Sequence, residues 1–207
     1  MRTRVKICGI TREADAQAAA RHGADAIGFI FWRPSERFIE PARAGLIART
    51  LPAFVTPVGV FVNPNADEVE AVLAQVPNVL LQFHGEETPE FCARFGRPFI
   101  RAARMRPGLD LLKYLAPFAA ASAWLVDAFH DGTYGGTGSA FDWDLVPRSL
   151  DRPLVLSGGL TVENVFEAVR RLRPFAVDVS SGVELDKGIK EATKIAAFIA
   201  GVRNADQ

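Results

Sequence analysis

The sequence has 207 residues, of which 49% are hydrophobic and 23% are charged, and this is the composition of an ordinary globular protein with one sizeable core. Lysine plus arginine balance aspartate plus glutamate at 24 each, so no strong net charge favours nucleic acid or an anionic membrane as the partner. No apolar stretch approaches the roughly 20 residues that a membrane-spanning helix needs. We therefore expect a single domain over residues 1–207 that binds a small molecule.

The cysteine content and the amino terminus indicate a reducing compartment. The two cysteines, Cys8 and Cys92, are too few for a disulfide framework. The chain begins directly with a predicted strand, without an apolar signal segment. The expected location is therefore the cytoplasm, and Cys92, which lies in a predicted helix, is assigned to packing.

Apolar, strand-like segments alternate with helix-like segments along the chain. The predicted strands occupy residues 4–11, 26–31, 57–62, 79–85, 98–103, 122–128, 152–160 and 175–182. The predicted helices occupy residues 12–22, 41–50, 66–75, 87–94, 109–118, 161–171 and 188–201. Thr161 is the predicted amino-terminal cap of its helix. Residues 130–144 form a glycine-rich loop that ends in one helical turn.

The alternation of eight strands with helices or helix-length connections predicts the fold. Parallel strands follow from this order, and their continuously apolar character indicates a sheet that is covered on both faces. The predicted fold is therefore an α/β protein, a single-domain (β/α)8 TIM barrel with a parallel sheet. A doubly wound open sheet is the alternative. It would normally have fewer strands and, if it bound a dinucleotide, a GxGxxG motif where this chain has CGITRE.

The residues that end the predicted strands are candidates for chemistry, because barrels of this kind build their active sites at the carboxyl ends of the strands. These ends carry Cys8, Gln82, His84, Arg101, Asp127, Ser157, Gly158, Gly159, Asp178, Ser180 and Ser181. A cysteine and an aspartate that converge on one mouth can supply a base and an acid.

Each candidate also has an ordinary structural interpretation. Cys8 can be a small buried hydrophobic residue, as most free cysteines are. Asp127 can cap the following loop, and His84 can be a satisfied polar residue at a strand end. Arg101 can be an outward-facing partner of an ion pair. Position alone does not decide between these interpretations and a catalytic site.

Two glycine motifs suggest a phosphorylated ligand. SGGL at 157–160 and SSGVE at 180–184 follow the last two strands, where backbone N–H groups approach a phosphate only if side chains leave room. The alternative is that these glycines serve turns with positive φ. GGTG at 135–138 is followed by neither a GKS motif nor a helix start, so it is not a Walker phosphate-binding loop. We therefore interpret residues 130–139 as a lid.

Several motifs together resemble the phosphoribosylanthranilate isomerase family over essentially the whole chain. They are KICGIT at 6–11, SERF at 35–38, QFHG at 82–85, LVDA with GGTG and FDW within 125–143, SGGLTVENV at 157–165 and VDVSSGVE at 177–184. The resemblance implies the Amadori rearrangement of N-(5-phosphoribosyl)anthranilate in tryptophan biosynthesis. The implied product is 1-(o-carboxyphenylamino)-1-deoxyribulose 5-phosphate, formed without metal or cofactor.

The resemblance also implies roles for individual residues. Cys8 is the general base at C2 of the ribose, Asp127 is the general acid at the ring oxygen, and Arg37 binds the anthranilate carboxylate. Phosphate binding is implied for Gly159, Ser181 and Gly182 with their neighbours Gly158 and Ser180, and a place in the pocket for His84 and Asp178. A thiolate base requires a lowered pKa at Cys8. Lys6 shares the strand parity of Cys8, which places it in the barrel layer below the thiol.

Small departures from the family pattern leave this assignment intact. Phe83, Ser157 and Glu191 stand where leucine, alanine and aspartate are usual, and none of them is the acid, the base or a glycine of the phosphate motifs. Ser139 stands where a larger polar residue is common, which leaves the contacts of the lid open.

Other functions stay open at this point. A phosphate or flavin-nucleotide barrel without isomerase activity is the main alternative, and a yellow purified protein would favour it. The related imidazole-carboxamide isomerase uses an aspartate where this chain has Cys8. A catalytically silent interaction protein would lack the acid or the base. Both a monomer and a homodimer are compatible with the sequence.

Overall fold

Eight parallel strands close into a barrel in the computed structural model of the protein, which describes residues 2–106, 108–128, 141–147 and 149–207. The strands are β1 (Arg4–Ile7), β2 (Ala26–Ile30), β3 (Thr56–Phe61), β4 (Leu80–Phe83), β5 (Phe99–Met105), β6 (Ala123–Ala128), β7 (Leu154–Leu156) and β8 (Ala176–Val179). Each strand pairs with the next in sequence, and β8 pairs with β1. The predicted (β/α)8 fold is confirmed.

Helices of uneven length surround the barrel. They are α1 (Glu13–His22), α2 (Pro41–Ala48), α3 (Ala66–Gln75), α4 (Pro89–Ala93), α5 (Leu111–Leu115), α6 (Val165–Leu172) and α7 (Ala192–Ala205). A 3₁₀ turn at Trp143–Leu145 supplies the helical turn that was predicted before β7. Among the described residues, no helix is both long enough and apolar enough to cross a membrane.

Several predicted boundaries were wrong, because β1, β4, β7 and β8 end earlier than predicted and α6 and α7 begin later. The first strand ends at Ile7 rather than at residue 11, because Gly9 turns the chain with φ of 73°. Helix α6 begins at Val165, and Thr161 is not its cap: Thr161 Oγ1 accepts a hydrogen bond from the Glu163 amide at 3.2 Å within a preceding turn.

Another wrong boundary lies after β8. Residues 188–191 were predicted as helix, yet a short antiparallel hairpin precedes α7. It consists of β9 (Glu184–Asp186) and β10 (Ile189–Lys190). A 3₁₀ turn at Ser181–Val183 connects β8 to this hairpin.

The apolar core has two parts that leave the mouth of the barrel to polar residues. Val5 and Ile7 belong to the large cluster between the sheet and the helices, as their strand parity predicts. A smaller cluster comprises Ile100, Ala102, Ala123, Leu125, Val155 and Ala176. Because these small and branched side chains come from the first halves of their strands, they fill the barrel interior below the polar strand ends.

Candidate active site

Polar side chains from six strands meet in a pocket at the carboxyl ends of the strands. The pocket is lined by Cys8, Ile30, Ser35, Arg37, Val60, Gln82, His84, Asp127, Ser157, Asp178 and Ser180. The barrel therefore brings together the predicted base Cys8, the predicted acid Asp127 and Arg37, which was predicted to bind the anthranilate carboxylate. The predicted pocket residues His84 and Asp178 lie with them. Gly158, Gly159, Ser181 and Gly182 lie on the adjoining loops after β7 and β8.

Cys8 lies directly after β1, with its sulfur beside a buried ion pair. Its backbone N–H donates to the Val179 carbonyl at 2.8 Å, which extends the β1–β8 pairing by one residue. Lys6, one layer below, points Nζ at Asp178 Oδ2 at 2.8 Å. These two side chains belong to residues that stand opposite each other in the β1–β8 register. The predicted place of Lys6 below the thiol is confirmed.

The electrostatic balance at Cys8 differs from the sequence-based expectation of a lowered thiol pKa. Burial raises the pKa of the Cys8 thiol, and the nearby Asp178 carboxylate adds to that rise, while Lys6 and Lys190 oppose it. The net direction is upward, because removing a thiolate from water outweighs the attraction of the two ammonium groups. Burial also opposes the charge of Lys6, but Asp178 and Cys8 outweigh it and raise the pKa of the Lys6 ammonium.

Asp127, near the end of β6, is held by one backbone hydrogen bond and lies beside His84. Its Oδ1 accepts a hydrogen bond from the Ala128 amide at 2.9 Å, and its Oδ2 lies 3.1 Å from His84 Nε2. The Gln82 amide nitrogen lies 3.3 Å from His84 Nδ1. Because an amide NH₂ can only donate, Nδ1 accepts and the ring proton is left on Nε2. Nε2 makes no hydrogen bond with the described residues, so it is a donor beside Asp127 that does not fix the carboxyl group.

Two buried acceptors in this pocket lack a hydrogen-bond partner among the described residues. They are Oε1 of Gln82 and Oδ1 of Asp178. Buried polar atoms without partners are unusual in folded proteins because they forfeit their hydration. Both residues line the pocket, so its walls offer acceptors to a ligand that carries hydroxyl groups. The sequence argument named Gln82 only as a strand end, although its parity with His84 would have pointed it into the pocket.

Arg37 is buried and belongs to a three-charge cluster rather than to a solvated loop. Its Nε and Nη2 donate to the two carboxylate oxygens of Glu184 at 2.8 and 2.7 Å. Lys190 Nζ donates to the same Glu184 at 2.7 Å and to the Ser180 carbonyl at 3.0 Å. The hydrogen bonds that Arg37 donates to Glu184 raise the pKa of Arg37, and burial lowers the pKa of Lys190. With both bases charged, the cluster carries one net positive charge.

Glu184 and Lys190 were not predicted as site residues. Glu184 stands at the end of the SSGVE motif, so the motif itself was a signal for it. Lys190 reaches the cluster because β10 folds back on β9, and that hairpin was predicted as helix.

The glycines of the two loops show turns with positive φ, one of the alternatives that the sequence left open, and close packing against neighbouring backbone. Gly158 and Gly159 have φ of 86° and 67°, so they do serve turns with positive φ. Crowding also forbids side chains here: a Cβ at Gly158 would collide with the Ala128 amide, and one at Gly182 would collide with the Leu160 carbonyl. Phosphate binding by these loops stays a prediction.

Arg101 lies on the opposite face of the sheet from the pocket. Its Nη1 donates to Glu87 at 2.6 Å, and its Nη2 donates to the Gly85 carbonyl at 2.8 Å and to the Tyr114 hydroxyl. Glu87 also accepts the Asn63 amide at 2.8 Å. Arg101 is therefore an ion-pair partner, as the structural interpretation held, although it is buried rather than solvent-facing.

Two other predictions concern the lid and metal binding. The predicted lid at 130–139, with GGTG and Ser139, lies outside the described residues. Within the described part of the chain, no group of three or more His, Cys, Asp or Glu residues could hold a metal ion.

Comparisons with known proteins agree with one another. Residues 5–201 match the family described as N-(5'phosphoribosyl)anthranilate (PRA) isomerase. N-(5'-phosphoribosyl)anthranilate isomerase of Dechloromonas aromatica is 54% identical over 207 residues, which cover 100% of this chain and 99% of the relative.

Two solved structures give the same result. The crystal structure of phosphoribosyl anthranilate isomerase from Thermotoga maritima has a TM-score of 0.89 at 40% identity, covering 98% of this chain and 99% of that one. A crystal structure of the same enzyme type, in complex with reduced 1-(o-carboxyphenylamino)-1-deoxyribulose 5-phosphate, has a TM-score of 0.85 at 40% identity with the same coverage.

Proposed function

The chain belongs to the N-(5'-phosphoribosyl)anthranilate isomerase family, and from this premise we propose that Cys8 and Asp127 catalyse the isomerisation of N-(5-phosphoribosyl)anthranilate in tryptophan biosynthesis. The product is 1-(o-carboxyphenylamino)-1-deoxyribulose 5-phosphate, whose reduced form occupies a structurally similar protein. The observation that carries the proposal is the meeting of a thiol and a carboxyl group in one pocket, beside an arginine and two glycine loops.

Ring opening is the first chemical step. The protonated carboxyl group of Asp127 donates its proton to the ribose ring oxygen as the bond between C1 and that oxygen breaks. The lone pair of the anilino nitrogen forms a C1=N double bond, so the substrate becomes an iminium ion and Asp127 becomes a carboxylate. His84 Nε2 lies 3.1 Å from Oδ2 and has no hydrogen-bond partner among the described residues, so it is available to donate to the carboxylate that forms.

Proton removal from C2 is the second step. The iminium ion acidifies the C2–H bond, and the Cys8 thiolate takes the proton to become a thiol. The electron pair of that bond forms C1=C2, while the π pair of C1=N returns to nitrogen. The resulting enolamine becomes the ketone when its C2 hydroxyl gives its proton to the Asp127 carboxylate and the Cys8 thiol returns its proton to C1, which restores both groups for the next turnover.

The remaining pocket groups bind the substrate. Glu184 engages Nε and Nη2 of Arg37, which leaves Nη1 for the anthranilate carboxylate, and the net positive charge of the cluster favours that anion. Oε1 of Gln82 and Oδ1 of Asp178 accept hydrogen bonds from hydroxyl groups of the sugar. Backbone N–H groups of the two loops bind the phosphate, through Gly158, Gly159, Ser180, Ser181 and Gly182.

The test follows the loss of anthranilate-type fluorescence after fresh substrate is mixed with enzyme. Positioned acid–base groups contribute about 10²–10⁴-fold, so Cys8→Ala and Asp127→Asn should each lose that much turnover. Cys92→Ala is the matched control, because it removes a buried thiol outside the pocket and should keep the activity. Turnover within tenfold of the unmodified protein in either site variant would sink the assignment.

A further inference from the structure

Lys6 and Cys8 lie side by side inside the barrel. They are two residues apart on the same strand, so both face the lumen while Ile7 faces the helices. The bare backbone of β2 at Gly28 makes room for them: a Cβ there would be 2.7 Å from Cys8 Sγ and 3.0 Å from Lys6 Cε. The sulfur and the end of the lysine side chain therefore occupy neighbouring space.

The charge of Lys6 is buried and has one carboxylate partner. Lys6 and Asp178 are 4% and 5% exposed, and Nζ and Oδ2 are 2.8 Å apart. An ammonium group has three donors, so this ion pair leaves capacity for a second acceptor. The Cys8 sulfur shares the space beside Gly28 with the end of the Lys6 side chain, and the Lys6 charge opposes the rise in the pKa of the thiol.

We propose that Lys6 is the cation that stabilises the Cys8 thiolate, and that Asp178 weakens this stabilisation by pairing with Lys6. This inference rests on the proposed role of Cys8 as the base. Lys6 acts on the substrate only through Cys8, so it is a positioning residue rather than a catalytic one. Asp178 would have two tasks, because its Oδ1 also faces the pocket.

The arrangement suits a base that gains and loses a proton in each turnover. With a thiol at Cys8, Lys6 and Asp178 neutralise each other. With a thiolate, one ammonium group serves two anions, so burial is only partly offset, in agreement with the raised pKa of the thiol. The ion pair therefore keeps Cys8 protonated at rest, and Lys6 stabilises the thiolate once the proton has left.

Other charged groups near the thiol are less well placed for this task. They are Lys190 on β10, Arg37 between β2 and α2, His84 after β4 and Asp127 on β6. Lys190 Nζ donates to Glu184 and to the Ser180 carbonyl, and Arg37 uses two donors on Glu184. His84 faces Asp127. Lys6 is therefore the cation that shares the space beside Gly28 with the sulfur and keeps a donor for it.

The experiment is a titration of the thiolate absorbance near 240 nm in the substrate-free protein. All variants carry Cys92→Ala, and the protein with both Cys8→Ala and Cys92→Ala supplies the tyrosine baseline. A neighbouring charge shifts a pKa by about 1 to 3 units. Lys6→Met should therefore raise the midpoint of the Cys8 titration by at least one pH unit, and Asp178→Asn should lower it.

An ion pair that only stabilises the fold would not shift the Cys8 midpoint in opposite directions in Lys6→Met and Asp178→Asn. The double variant Lys6→Met with Asp178→Asn leaves no unpaired charge, and its midpoint should fall between those of the single variants. Equal midpoints, or shifts in the same direction, would overturn the inference. If Lys6→Met does not fold, a double-variant midpoint at or below that of Asp178→Asn also overturns it.

The titration and the turnover assay separate the two proposals. The titration involves no substrate, so it tests the Lys6–thiolate pair alone. If Cys8→Ala retains turnover while the midpoints shift in opposite directions, the assignment of the base fails and the pairing stands. If Cys8→Ala loses turnover and the midpoints do not move, the base stands and the role of Lys6 falls.

Discussion

Two buried ion pairs lie on opposite faces of the same sheet, and their surroundings differ. The inner pair joins Lys6 to Asp178 at 2.8 Å, and the outer pair joins Arg101 to Glu87 at 2.6 Å. The outer charges interact with groups of the scaffold. Glu87 accepts the Gly85 amide, and Arg101 donates to the Gly85 carbonyl and lies 4.5 Å from the centre of the Phe118 ring. The inner pair keeps Asp178 Oδ1 free toward the pocket and has a thiol beside it.

The difference shows that burial alone does not mark a functional charge. Both pairs are almost fully excluded from water, and either would be a candidate on that ground. Each pair leaves one buried atom without a hydrogen-bond partner among the described residues, Arg101 Nε in the outer pair and Asp178 Oδ1 in the inner pair, so what separates them is that Asp178 lines a pocket. The outer pair holds the loop after β4 by accepting the Gly85 and Asn63 amides at Glu87. The inner pair faces a cavity that a ligand can enter.

Arg101→Met tests the difference between the two ion pairs most directly. It leaves Glu87 buried without its cation, and breaking a buried ion pair costs about 3–5 kcal/mol of the free energy of unfolding. Urea unfolding followed by circular dichroism measures that loss. The folded variant should keep the titration midpoint of Cys8, since Arg101 lies across the sheet from the thiol. A shifted midpoint would contradict the division between the faces.

Arg33→Met is the matched control for that loss. Its ion pair with Glu40 spans 3.2 Å, but the two side chains are 72% and 57% exposed. Exposed pairs contribute about 0–1 kcal/mol, so unfolding should change little.

A smaller effect, on binding rather than stability, is expected from Arg37→Lys. Lysine cannot reproduce the two-point contact with Glu184 or present a planar fork to a carboxylate. Losing a hydrogen bond to a charged group costs about 1.5–3 kcal/mol, which is tenfold or more in KM. Steady-state kinetics should show this rise in KM with a smaller change in kcat. A fall in kcat at constant KM would argue against carboxylate binding, and Arg33→Lys is the exposed control.

The smallest effect is expected far from both pairs, at Asn65→Ala. Asn65 Oδ1 accepts the Glu68 amide at 2.9 Å, and Glu68 Oε2 accepts the Asn65 amide at 2.8 Å, which forms a capping box at the start of α3. Its loss costs about 1 kcal/mol of unfolding free energy. Thermal unfolding should register that loss while KM and the Cys8 midpoint stay unchanged. Glu70→Ala, on an exposed turn of the same helix, should have no comparable effect.

Strand parity and the order of the elements made much of the site predictable. Cys8, His84 and Asp127 follow or end apolar strands, so the barrel had to bring them to one mouth. The same parity predicted Lys6 below the thiol. Applied to β5 it would also have excluded Arg101, because Ile100 and Ala102 on either side of it face the barrel interior.

The parts that were missed depend on long-range packing or on competing local signals. The direction of the Cys8 pKa depends on burial and on charges from β8 and β10, which no local pattern encodes. The hairpin was short enough to be read as the start of a helix, although Gly188, with φ of 74°, marks its turn. Threonine and asparagine are both residue types that commonly cap helices, so Thr161 and Asn164 give competing signals. Only the tertiary structure decides where α6 begins.

The close contact of Gly182 with the Leu160 carbonyl has a consequence for how this barrel can change. Because the loops after β7 and β8 touch backbone to backbone, they form a single module that cannot be remodelled one loop at a time. A graft of new phosphate loops would therefore have to exchange both loops together. It would also have to keep Gly158 against the strand end that carries the acid, and Asp178 beside Lys6.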